Sequence, residues 1–128
     1  MSGWRGMDYL KILKHEFEAN DDSFLLKLRV QRKWDKKLFS RLVTAMKTYC
    51  ESEAGSKSVE RWTASGFWYL QLFVKDWTTH SNFPRVHSEE YYQKAYQLLD
   101  DLAYWFFMGE CGYEDEIVMA DAIMDMES

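Results

Sequence analysis

Basic residues run out early in this chain: all 16 Lys and Arg lie at or before Lys94, and residues 95–128 carry nine acids with no base to offset them. Cysteine is nearly as scarce. Cys50 and Cys111 stand alone, which excludes a CxxC zinc or redox site and a multi-cysteine disulfide framework. No apolar run approaches the roughly 20 residues that cross a bilayer, so no membrane partner is expected. Met1–Asp8 lacks the hydrophobic core of a secretory signal. Two free thiols in such a chain point to a reducing compartment, and a cytoplasmic location is expected. A glycine-rich phosphate loop, an HExxH zinc motif (His15-Glu16 has no second histidine) and a GxSxG elbow are all missing. Internal repeats and low-complexity segments are missing too.

Aromatic rings are what the chain has in excess: 6 Trp, 8 Tyr and 8 Phe in 128 residues. Each can bury about 150–250 Å², so a large core and a single domain over residues 1–128 are expected. The stretch Trp62–Trp77 stands out. From Phe67 to Val74 only Gln71 is polar, and a helix apolar nearly all round belongs in the middle of a protein. Gly66 inside that helix costs about 1 kcal/mol against Ala, which a closely approaching neighbour helix would explain.

Other segments carry helical spacing. Tyr9, Ile12, Leu13 and Phe17 make an amphipathic face that Asn20-Asp21-Asp22 interrupts with turn chemistry. Ser23 to Trp34 is ambiguous: Leu26, Leu28 and Val30 alternate like a strand, while Phe24, Leu25, Leu28 and Gln31 fit a helix, which is preferred. Asp35 reads as an N-cap before the stripe Leu38, Phe39, Leu42, Val43, Met46, Tyr49, with Gly55 as its stop. Ser58 is expected to cap the Trp62–Trp77 helix. Pro84 marks a loop over residues 78–87. Ser88-Glu-Glu then opens a helix whose stripe runs Tyr92, Ala95, Tyr96, Leu99, Leu102, Ala103, Phe106, with Gly109 and Gly112 ending it. Tyr113–Met126 is expected to form a short acidic helix with Ile117, Ala120, Ile123 and Met124 inward. The expected fold is all-α: a compact single-domain bundle of four or five helices, loose over residues 1–7 and acidic over 110–128.

Function has weaker signals. Glu110, Glu114, Asp115, Glu116, Asp121 and Asp125 could dock a partner with a basic surface, since charge complementarity raises association rates and selects partners. They could equally lie back on the chain's own basic Lys27–Lys47 stretch or stay solvated. Trp68 and Trp105 fall off the main stripes of their helices; if exposed, they form a patch typical of a partner or dimer interface. The expected function is a non-enzymatic protein-binding module, of the inhibitor or immunity type, engaging a basic protein and needing no cofactor or metal. Two alternatives remain: a small-ligand or metal-using helical enzyme centred on Asp76, His80 and His87, and a structural subunit that homodimerises. The basic stretch Arg29–Arg41 with Trp34 inside it has the cations and the ring that a nucleic-acid binder uses, but a net charge of −5 counts against that partner. Cys50 at a helix C-terminal end and Cys111 among acids both lack what stabilises a thiolate.

Overall fold

The computed structural model describes residues 8–53, 56–111 and 116–128. Within them the order is α1 (Asp8–Phe17), α2 (Phe24–Leu26, continuing as a π-helical turn over Lys27–Gln31), α3 (Lys36–Ser52), α4 (Arg61–Thr78), α5 (Glu89–Met108) and α6 (Glu116–Asp125), with no strand among the described residues. The all-α expectation holds. The count is six helical segments rather than four or five, because Ser23–Trp34 contributes a short one. The expected loose start over residues 1–7, the stops at Gly55 and Gly112, and Glu114 and Asp115 lie outside the described residues, as do the side chains of Glu116 and Ile117.

Several helix ends follow capping chemistry written in the sequence. Asp35 accepts the Leu38 amide at 3.0 Å, Ser88 accepts the Tyr91 amide at 3.1 Å, and Gly109 closes α5 in the left-handed conformation at φ 84°. The Ser58 cap is a correction. Glu60 occupies the N-cap of α4 without a side-chain hydrogen bond, and the Thr63 hydroxyl donates to the Glu60 carbonyl at 2.8 Å. Ser58 stands two residues too early, its carbonyl accepting from the Ser56 hydroxyl.

Between α1 and α3 the chain turns tightly. The Asn20 amide donates to the His15 carbonyl and the Ala19 amide to that of Glu16, a Schellman stop in which Ala19 takes the left-handed position (φ 53°) usually given to glycine. Ser23 then caps α2 through the Leu26 amide at 3.1 Å. The carboxylate of Glu16, fully buried, accepts the two preceding amides, Phe24 at 2.8 Å and Leu25 at 3.3 Å, with Arg41 at 3.5 Å. A buried helix start leaves its first amides without intrahelical partners, and Glu16 supplies what those of α2 lack. The strand-like alternation of Leu26, Leu28 and Val30 is not one of burial: Leu28 is buried, Leu26 half-buried and Val30 is 71% exposed.

The core sits around α3 and α5. Phe24, Trp34, Phe39, Tyr91 and Tyr92 form a knot of rings with neighbouring centroids 4.9–5.8 Å apart, and Phe67 of α4 stacks on Phe106 of α5 at 4.4 Å. Pairs of this kind add about 0.5–1.5 kcal/mol each beyond area burial. Contrary to expectation, α4 is not covered on all sides. It buries Thr63, Gly66, Phe67, Leu70, Val74 and Thr78 but exposes Trp68, Tyr69 and Leu72. Its near-continuous apolarity therefore reflects a core face plus an outward one. Gly66 does meet a neighbour: the Phe17 ring of α1 lies where a Cβ would stand.

α6 folds back on α3 and α5 through Met119, Ile123 and Met126. Met124, expected inward, is exposed, and Met126 takes the buried position. The Tyr91 hydroxyl accepts the Trp34 indole N–H at 2.9 Å and donates to the Met126 carbonyl at 3.0 Å. Lys36 donates to the Ser128 carbonyl at 2.6 Å with its ammonium 4.5 Å above the Tyr91 ring. No described helix is long and apolar enough to cross a membrane.

Candidate functional site

Two antiparallel helices, α4 and α5, set up the candidate surface. Their register is given by the Phe67–Phe106 stack at one end and the hydrogen bond between Thr78 and Tyr96 at the other. The loop between them is held by Arg85, whose guanidinium donates to the Thr78 carbonyl at 2.8 Å, Tyr96 at 3.0 Å and Glu89 at 2.7 Å while lying 4.3 Å over the Tyr92 ring. Midway along the seam, partial burial pushes the Asp100 carboxyl above its ordinary range, with Lys75 on α4 opposing and Asp101 adding to the shift.

Outward from that seam the surface is apolar. Trp68 is 57% exposed, and Leu72 follows one turn later on α4. On α5, Tyr104, Phe107 and Met108 are also exposed, Phe107 to 50%. The register sets Trp68 at the level of residues 104–107. Beyond Met108 comes Gly109 and then the exposed Glu110, so the apolar strip opens onto the acid-rich end of the chain. Asp121 and Asp125 are exposed on α6, but α6 runs back along α5, so that Asp125 lies by Tyr91, Lys36 and Lys94 at the far end from the strip. Large apolar side chains gathered on one outer face are the usual mark of an interaction surface.

Trp68 is thus placed where its off-stripe position implied, and Trp105 is not. Trp105 is 4% exposed, and its helical neighbour Leu98 is fully buried. The reason is that α5 carries two inward stripes. The second, Tyr91, Leu98 and Trp105, follows the side of α5 where Tyr91 reaches α6 and where Trp105 lines a small cleft with Tyr49 and Cys50 of α3. Phe107 and Met108 are masked in the sequence by the cleaner inward stripe through Phe106. The signal available was the i, i+3, i+4 spacing of Tyr104, Phe107 and Met108.

Asp76, His80 and His87 do not come together. Asp76 and His80 are exposed, and the His80 Nδ1 accepts the Asn82 amide at 3.2 Å in a small cleft with Arg32, Trp77 and Phe83. His87 turns the other way, packing on Tyr91 and Tyr92 with Nε2 3.2 Å from the Trp34 carbonyl. Among the described residues no group of three His, Cys, Asp or Glu is placed to hold a metal. Burial pushes the Cys50 thiol up to about 12, reinforced by Cys111 and Glu51, so at neutral pH it is a protonated core residue whose sulfur lies 3.8 Å from the Leu102 carbonyl. Trp34, the ring inside the basic stretch, is buried in the core, so its faces are closed to a stacking base. No family model matches this chain, and no curated protein or solved structure showed significant similarity to it.

Proposed function

We propose that this chain is a non-enzymatic protein-binding module that docks a basic protein partner along the α4–α5 seam. The observation that carries the reading is the outward apolar strip of Trp68, Leu72, Tyr104, Phe107 and Met108, which ends at the exposed Glu110. Trp and Tyr that are already exposed on rigid helices lose little freedom on binding and are the residues most often found as hot spots. The acids at its end would steer a basic partner and set orientation, acting mainly on association rate. An inhibitor or immunity-type antagonist covering a basic enzyme fits the size, the charge asymmetry and the lack of a catalytic motif.

A photo-crosslinking amino acid in place of Trp68, compared with one in place of the exposed Val30 on the π-helical turn, tests this in native extract. The expected result is an adduct to a basic protein from position 68 and none from position 30. With that partner purified, Trp68→Ala is expected to weaken binding about 30-fold, the effect of losing a hot spot worth about 2 kcal/mol. Its own folding stability should move by no more than about 0.5 kcal/mol. Neutralising Glu110 should slow association and weaken its salt dependence. Removing everything after Gly109 is a poorer test, since α6 buries Met119, Ile123 and Met126. An adduct to a second copy of the chain would make the strip a homodimer interface, and equal adducts from both positions would refute the assignment.

A further inference from the structure

We infer that the cleft between the end of α1, the π-helical turn and the first half of α4 binds a small anionic ligand carrying a flat ring. The cleft has a volume of about 550 Å³ and lies on the flank of α4 away from Trp68. That size is within the roughly 300–1,000 Å³ of small-molecule sites. Phe17 and Gly66 line it together, the ring set against the glycine, and Trp62 and Tyr69 stand on α4 to either side of Ser65.

The ring preference comes from an unfinished aromatic ladder. Tyr69 stacks on Phe73 at 5.1 Å and 9°, and Phe73 on Trp77 at 5.6 Å and 20°, one helical turn apart each time. Trp77 is anchored by its indole N–H to the Leu28 carbonyl at 2.8 Å. The next position up the same face is Ser65, which carries no ring, and the cleft lies there. A flat ligand ring seated against Tyr69 would continue the stack. The anion preference comes from two cations on the rim. The Lys14 ammonium sits 5.8 Å over the Trp62 ring, and Arg29 projects from the π-helical turn; neither forms an ion pair among the described residues. Glu18, the acid on the rim, accepts from Asn20 at 3.3 Å. The walls also hold two local departures from regular backbone, the left-handed Ala19 and the π turn that carries Arg29. Such features concentrate at binding sites.

The probes are the four ribonucleoside 5′-monophosphates and 2-naphthoate, titrated into the full chain and followed by NMR at the Trp62 indole. Adenosine and ribose 5-phosphate serve as ring-only and anion-only controls. At least one of the five ring-bearing anions should bind below about 1 mM, and at least tenfold tighter than either control. Nucleotides binding alone would identify phosphate as the anionic group, and naphthoate alone a carboxylate. Arg29→Gln and Tyr69→Leu should each weaken binding about tenfold, the scale of one lost phosphate contact or one lost stack. Ser65→Trp, at an exposed helix position, should fill the cleft and abolish binding while the far-ultraviolet dichroism is unchanged, and Trp68→Ala should have no effect. Failure of all five probes, binding of a control as tight as the anions, or indifference to Ser65→Trp would each overturn the assignment. The outcome is separable from that of the protein-docking face, because neither Trp68 nor Leu72 lines the cleft.

Discussion

Gly66→Ala is expected to destabilise the protein by about 2–3 kcal/mol, although alanine is the better helix former by about 1 kcal/mol. The reason is space. A Cβ at residue 66 would stand 2.2–2.4 Å from three atoms of the Phe17 ring, including the one attached to its own side-chain stem. The ring cannot simply swing aside, because it is held edge-on by Trp62 and Phe67, both at 6.0 Å. Either α1 moves off α4 or both side chains leave their rotamers. Urea unfolding of the single variant and of Gly66→Ala combined with Phe17→Leu makes the argument specific. The smaller side chain should recover at least about 1 kcal/mol of the loss, a coupling expected only for residues in contact. Additive losses would mean the glycine has some other purpose.

Glu16 gives the second large effect. Glu16→Ala is expected to cost about 3 kcal/mol at neutral pH, since it strips the Phe24 and Leu25 amides of their shared acceptor in a buried site. The pH dependence has a definite sign. Burial raises the Glu16 carboxyl above its ordinary value of 4.5, and the two amides, Arg41 and His15 bring it only part of the way back. A raised folded-state value means that the stability contributed by this group is fully present below 4.5 and is lost as pH rises through the folded value. Asp35 behaves oppositely: against partial desolvation, the Leu38 amide and Lys27 hold it below 3.8, so its contribution is present above 3.8 and is lost as pH falls from there through the lower folded value. Comparing the chain with Glu16→Gln cancels Asp35. The stability difference should move in favour of the native carboxyl on acidification from neutral toward 4.5, and a difference flat with pH would refute the assignment.

Where the sequence carried a local physical reason, the fold was legible. Asp35 and Ser88 are caps because their short side chains reach the Leu38 and Tyr91 amides, and Gly109 is a stop because it takes a positive φ cheaply. The neighbour at Gly66 was legible for the same reason. The rest depended on the tertiary environment. The π turn over Lys27–Gln31 is tied to α4 by the Trp77–Leu28 bond, a long-range contact that no spacing rule reports. Trp68 and Trp105 look alike as off-stripe tryptophans, yet one faces water and the other is buried, because the side of α5 that carries Trp105 packs on α3 while the side of α4 that carries Trp68 is left open. The cleft was invisible, since Lys14, Arg29, Trp62 and Tyr69 come from three separate segments. The acidic end was legible as charge and as a helix with Ile123 inward, but its anchoring through Met119 and Met126 in place of Met124 was not.

The outward strip is what the functional account rests on, and hydroxyl-radical footprinting of the isolated full chain at low and high protein concentration tests it most directly. Trp68, Phe107 and Met108 are expected to oxidise rapidly and equally at both concentrations, while Trp34 and Trp105 stay protected. Protection of Trp68 in the dilute chain, or protection that grows with concentration, would mean the face is already covered, and the reading of a surface kept free for a foreign basic partner would fall.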